Sequence, residues 1–94
     1  MSTILDDLAA VITARSDADP TSSYTAKLLG DPEFNQRKIM EEAFEVCLEL
    51  NRPAVDPILA ANEAADLVYH LMVGLAGAGI EPTAFLSVLE GRRS

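Results

Sequence analysis

Ninety-four residues hold one domain, residues 1–94, and 49% of them are hydrophobic, although aromatics make up only 5% and Trp is absent. Fifteen acidic against seven basic residues give a formal net charge of −8, which argues against general nucleic-acid binding and against an anionic membrane surface, because both need a basic face. An acidic chain holds a phosphate ester only through a bridging metal and a few well-placed Lys or Arg.

Residues 3–15 carry Ile4, Leu5, Leu8, Val11 and Ile12 at i, i+1, i+4, i+7 and i+8, one apolar stripe of an amphipathic helix. Ser2 or Thr3 can cap it, and Asp6 and Asp7 suit its positive first turn. The same two acids interrupt the apolar run that a secretory leader requires. Residues 16–20 are a polar break closed by Pro20. Thr21, Ser22 and Ser23 offer caps for a short helix through Tyr24, Ala26, Leu28 and Leu29, with Gly30 at its end. Asp31-Pro32-Glu33 reads as cap, first position and first-turn acid of a third helix running to about Leu50, where Asn51-Arg52-Pro53 stops it.

Cys47 lies on the apolar arc of that third helix and is expected in the core. As the single cysteine it excludes an intramolecular disulfide and fits a reducing compartment. Asp56-Pro57 repeats the start signal for a fourth helix that reaches about Ala76 before Gly77 and Gly79. The uncharged stretch 67–80 is too short to span a bilayer. Glu81-Pro82-Thr83 opens a last helix with Phe85, Leu86 and Leu89 inward and Arg92 and Arg93 at its negative end. The expectation is an all-α, cytoplasmic domain of five helices around a long antiparallel helix hairpin.

On a helical wheel the third helix places Ile39, Met40, Ala43, Phe44, Val46, Cys47 and Leu50 on one arc. Lys38, Glu41, Glu42, Glu45 and Glu49 fall opposite, with Glu42 bordering the apolar side. The fourth helix is apolar almost all round, through Ile58, Leu59, Leu67, Val68, Leu71, Met72, Val73 and Leu75, and such a helix should be buried. Yet Asn62, Glu63, Asp66, Tyr69 and His70 interrupt it on a single face. A buried carboxylate must be paired, protonated or metal-bound.

The Glu42/Glu45 and Glu63/Asp66 pairs are equidistant from residue 54, inside the intervening turn. In an antiparallel hairpin, positions equidistant from the turn lie side by side, so four carboxylates converge at one level. All-oxygen ligation of this kind suits Mg²⁺ or Mn²⁺ with open positions for water and phosphate oxygens. A Glu-Glu-x-x-Glu run alone would be ordinary solvated surface; the mirrored acids in an apolar helix are what distinguish it.

Glu41-Glu42-x-x-Glu45 followed by Glu63-x-x-Asp66 resembles the signature of the all-α nucleoside triphosphate pyrophosphatases, the MazG-like superfamily. Ser23-Tyr24-Thr25-Ala26-Lys27-Leu28-Leu29, Lys38-Ile39-Met40-Glu41-Glu42-Ala43 and Glu63-Ala64-Ala65-Asp66-Leu67-Val68-Tyr69-His70-Leu71 are similar to the phosphoribosyl-ATP pyrophosphatases of histidine biosynthesis. The resemblance implies Mg²⁺-dependent hydrolysis of phosphoribosyl-ATP to phosphoribosyl-AMP and pyrophosphate by a homodimeric helical bundle. It implies Glu42, Glu45, Glu63 and Asp66 as metal ligands, and Lys38, one turn before Glu42, as a phosphate contact. Family members often carry a Lys-rich segment where this chain has residues 30–37.

For the chemistry so implied, the proton acceptor is Glu41 or Glu45. Lys27, Lys38 and Arg37 are the nearest cations for phosphate, and the start of the short helix around Ser23 could hold an anion. Tyr24 sits against the nucleotide or in the core. His70, one turn after Asp66, is a histidine bonded to that acid or an ordinary core residue; Tyr69 suits a subunit interface. The fourth helix has more apolar surface than one chain can cover, which predicts an intimate homodimer. Two alternatives fit the same residues: a house-cleaning nucleoside triphosphate pyrophosphatase, and a non-catalytic acidic dimerisation module.

Overall fold

A computed structural model of the chain describes residues 3–93 and contains five helices: α1 (Ile4–Ala14), α2 (Tyr24–Leu29), α3 (Pro32–Leu50), α4 (Pro57–Gly77) and α5 (Ala84–Gly91). There is no strand among the described residues. The helix starts follow the sequence signals. Thr3 caps α1 in a reciprocal capping box with Asp6; Ser2, the other cap candidate, lies outside the described residues. Ser23, Asp31 and Asp56 each accept backbone N–H groups at the starts of α2, α3 and α4, and proline opens both long helices. Thr83 stands at the start of α5 without a side-chain capping bond.

The end of α4 is a Schellman turn. Gly79 adopts φ 78°, and Ile80 N–H and Gly79 N–H close onto the Leu75 and Ala76 carbonyls at 2.9 and 3.0 Å. Gly30, by contrast, ends α2 in an ordinary right-handed conformation at φ −83°.

α3 and α4 form the dominant helix pair, joined by the exposed turn 51–56. α2 packs on both, and α1 packs on α4. The fully enclosed core is small: Ala9 and Ile12 from α1, Leu28 from α2, and Met72 and Val73 from α4, with Phe34, Val68, Tyr69 and Phe85 around it. It therefore gathers at the C-terminal half of α4, and the carboxylates occupy the half of the hairpin nearer the turn, late in α3 and early in α4. Between the two long helices, Gly74 leaves room for Asn35: a Cβ at Gly74 would stand 3.2 Å from Asn35 Nδ2 and 3.4 Å from Ile39 Cδ1. Asn35 Nδ2 in turn donates to the His70 carbonyl at 3.1 Å.

Several apolar side chains face outward. Met40 is 73% and Phe44 64% exposed on α3. Ile58, Leu59 and Leu71 on α4 are exposed as well. Leu89 and Cys47, expected inward, are exposed. The reason is rotational: α3 turns its carboxylate edge, with Glu42 7% exposed, toward α4, so part of its apolar arc points away. The chain is extended accordingly, with a radius of gyration of 14.5 Å against about 12 Å expected for a compact domain of this length. The uncharged stretch 67–80 begins inside α4, a helix of 21 residues, and runs three residues past its end; by length and composition alone α4 could cross a membrane, although it carries Glu63 and Asp66.

Filling the α3–α4 crossing tests this packing. Gly74→Val is expected to lower the unfolding free energy by about 1–3 kcal/mol, read as a lower urea midpoint, because Asn35 cannot retreat without losing its bond to the His70 carbonyl.

Candidate metal centre

The hairpin register brings Glu42, Glu45 and Glu63 together. One carboxylate oxygen of each lies within 4.8 Å of those of the other two. Glu42 is buried and Glu45 and Glu63 are half-buried. Oxygens on opposite sides of an octahedral Mg²⁺ stand about 4 Å apart, so this spacing is compatible with one hard cation after small rotamer adjustment. Asp66 is exposed and stands outside the triad, yet its charge acts on Glu42. Glu49 does not join the cluster; it is taken by Arg52 in a two-bond ion pair of 2.9 and 3.1 Å.

The electrostatics of the triad are those of a site short of positive charge. Glu42 is raised above its usual carboxylate range first by burial and then by the charges of Glu45 and Asp66. Glu63 is raised from 4.5 to about 7, first by a hydrogen bond shared with Glu45, then by burial and the charges of Glu45 and Glu42. Two ionised carboxylates cannot hydrogen-bond to each other, since neither has a donor. Fully ionised, the site therefore leaves Glu42 Oε2 and Glu63 Oε2 buried without a partner. A proton on Glu63 relieves this, and so would a cation. The donor set and the two orphaned oxygens fit a divalent metal with oxygen ligands.

Lys38 stands at the edge, its Nζ 3.7 Å from Glu41 Oε1 and 3.9 Å from Glu42 Oε1. These are loose ion pairs, leaving the ammonium able to turn to an anion. Glu41 is exposed beside it. Of the other expected substrate contacts, Lys27 places its ammonium over the Phe34 ring at 5.0 Å. Arg37 is exposed on α3. Ser23 Oγ accepts the Ala26 N–H at 3.1 Å, so it serves as the cap of α2.

The Tyr24 hydroxyl and His70 Nε2 share a hydrogen bond of 3.0 Å, and the Tyr24 ring stacks on Tyr69 at 6.3 Å. Tyr69 and Thr25 share a second hydroxyl bond of 2.5 Å. His70 binds the Asp66 backbone carbonyl through Nδ1 at 2.8 Å, rather than the Asp66 carboxylate that the sequence pointed to; a side chain four residues on in a helix lies against that carbonyl. Asn35 escaped the sequence reading. Its one signal was its position two turns before Glu42 on the same face.

Comparison with known proteins then settles the lineage. The family profile described as "Phosphoribosyl-ATP pyrophosphohydrolase" matches residues 5–93. The chain belongs to the phosphoribosyl-ATP pyrophosphohydrolase family. It is 46% identical over 91 residues to a phosphoribosyl-ATP pyrophosphatase of Cereibacter sphaeroides, covering 96% of this chain and 86% of the relative. It is 47% identical to the enzyme of that name from Azospirillum brasilense (95% and 79% covered) and 43% identical to one from a Caulobacter species (95% and 81%). No solved structure is significantly similar to the chain. Membership in a pyrophosphohydrolase family is compatible with an acidic cluster able to hold a metal.

The raised Glu63 sets a pH dependence. Its proton is held more tightly in the folded than in the unfolded chain between pH 4.5 and about 7. This contribution to stability is therefore fully present below pH 4.5 and is lost as pH rises through about 7. With a chelator present, the melting temperature of the wild type should fall relative to Glu63→Gln as pH is raised from about 5 to about 8. Mg²⁺ should close the gap. Parallel curves for the two proteins would remove the self-repelling cluster from the account.

Proposed function

We propose that the chain hydrolyses phosphoribosyl-ATP to phosphoribosyl-AMP and pyrophosphate, using Mg²⁺ held by Glu42, Glu45, Glu63 and Asp66, with Mn²⁺ able to substitute. The observation that carries this reading is the triad with its two unpartnered buried oxygens; family membership supplies the substrate. Bound there, the cation would neutralise phosphate charge and lower the pKa of a coordinated water.

The chain's own residues do the rest. Lys38, loosely paired to Glu41 and Glu42, swings to a phosphate oxygen and meets the charge that develops on the leaving pyrophosphate. Glu41 or Glu45 accepts the proton of the attacking water. Glu41 has the freer carboxylate, being exposed and outside the triad. Lys27, Arg37 and the α2 start at Ser23–Tyr24 complete the anion-facing rim.

The working form is a cytoplasmic homodimer. Met40, Phe44 and Leu48 on α3, with Ile58, Leu59 and Leu71 on α4, leave more apolar surface in water than a monomer of this size usually carries. A groove of about 540 Å³ lined by Ile39, Val68, Leu71, Leu75 and Phe85 lies beside them. A second hairpin packed on this surface would also account for the apolarity of α4 without a bilayer.

Two measurements test the reading. Pyrophosphate release from phosphoribosyl-ATP should require Mg²⁺ and fall by about a hundredfold or more in Glu42→Gln and Lys38→Ala. Metal-independent release, or none from this substrate, would overturn it, and preference for an ordinary nucleoside triphosphate would replace the substrate. Sedimentation should give twice the 10.1 kDa chain mass, and Phe44→Asp should shift it toward the monomer.

A further inference from the structure

His70 is 5% exposed, the chain's single histidine, and bonded at both ring nitrogens. Its Nδ1 faces the Asp66 carbonyl, which can only accept, so Nδ1 carries the proton. In the neutral ring Nε2 is then an acceptor, and the Tyr24 hydroxyl must donate to it. The result is a one-directional chain: Tyr24 O–H to Nε2, and Nδ1–H to the carbonyl of a proposed metal ligand. The His70 carbonyl is bonded a second time by Asn35 Nδ2 from α3. One residue thereby ties α2, α3 and α4 together.

What this holds in place is the ring of Tyr24. Tyr24 is 46% exposed. Its inner face stacks on Tyr69 and its edge meets His70. Its hydroxyl lies near enough to Lys38, Glu42 and Glu41 to feel their charges. A core tyrosine would not be 46% exposed with its hydroxyl within electrostatic range of Lys38. A loose surface tyrosine would not have its hydroxyl committed to a buried histidine.

We propose that His70 is a positioning residue that fixes Tyr24 as the wall of the nucleotide site, its free ring surface meeting the part of the substrate next to the metal-held phosphates. This rests on the proposed phosphoribosyl-ATP reading. Tyr24 contributes contact and no proton, because its hydroxyl hydrogen is already given to Nε2. The contact exists equally in the ground state and the transition state, so losing it changes KM and leaves kcat nearly intact.

Tyr24→Phe keeps the ring and removes the hydroxyl; His70→Phe keeps a ring of similar bulk and removes the acceptor. Each should raise KM for phosphoribosyl-ATP by about three- to tenfold, the size of one lost hydrogen bond, with kcat within about twofold. The double variant should be no worse than the weaker-binding single variant, since both break the same bond. The ¹⁵N spectrum of the single histidine ring should show the proton on Nδ1 in the wild type, and the Nε2 resonance should move in Tyr24→Phe. A lower melting temperature with unchanged KM would make His70 an ordinary core residue and overturn the proposal, as would multiplicative KM effects or a proton on Nε2. A wild type inactive on phosphoribosyl-ATP would defeat the substrate reading by itself; the ring spectrum would still decide whether His70 holds Tyr24.

Discussion

The structure depends on one unfavourable interaction. Three glutamates, Glu42, Glu45 and Glu63, are set against one another in the middle of a helix hairpin, where burial and mutual repulsion make full ionisation costly. Among the described residues its one cationic neighbour is Lys38, which stands at the edge in a loose pair with Glu42 at 3.9 Å. A fold that only needed stability would fill this level with apolar side chains, as it does about two turns further along α4, where Met72 and Val73 close the core. Keeping the acids in place makes sense if a cation or proton completes the site.

The rest of the architecture serves that level. Proline-started, side-chain-capped α3 and α4 fix the register across the 51–56 turn, so that positions 45 and 63 meet. Gly74 and Asn35 set the separation of the two helices below the site, and α2 is brought onto its rim by the Tyr24–His70 and Thr25–Tyr69 bonds. The segment read as a phosphate grip from its composition is thus anchored by side-chain bonds to α4. Its serine is spent on capping and its lysine rests on Phe34.

Much of this was legible in the sequence. Cap-then-proline signals at Asp31-Pro32 and Asp56-Pro57 located both long helices, and counting outward from the turn placed Glu45 against Glu63. What could not be read was rotation about the helix axes. A wheel sorts residues into faces but does not say which face meets the neighbour. Cys47 and Leu89 therefore turned out exposed, and Met40 and Phe44 face outward while Glu42 is buried. Side-chain direction was equally hidden. The spacing of His70 and Asp66 suggested a bond between ring and carboxylate, but the ring reaches the backbone carbonyl instead. Asn35 gave little signal beyond sharing a face with Glu42, because its role depends on the room that Gly74 leaves it and on the His70 carbonyl, both tertiary facts.

The central claim is that the triad exchanges a proton for a cation, and proton-coupled metal binding tests it most directly. Calorimetric titration of the protein with Mn²⁺ in buffers of different ionisation enthalpy counts the protons released. With Glu63 raised to about 7, binding should release a substantial fraction of a proton near pH 6.5, falling toward zero above about pH 8.5, and Glu63→Gln should abolish the release. Mn²⁺ binding with no proton release near pH 6.5, or binding unchanged in Glu63→Gln, would contradict the account.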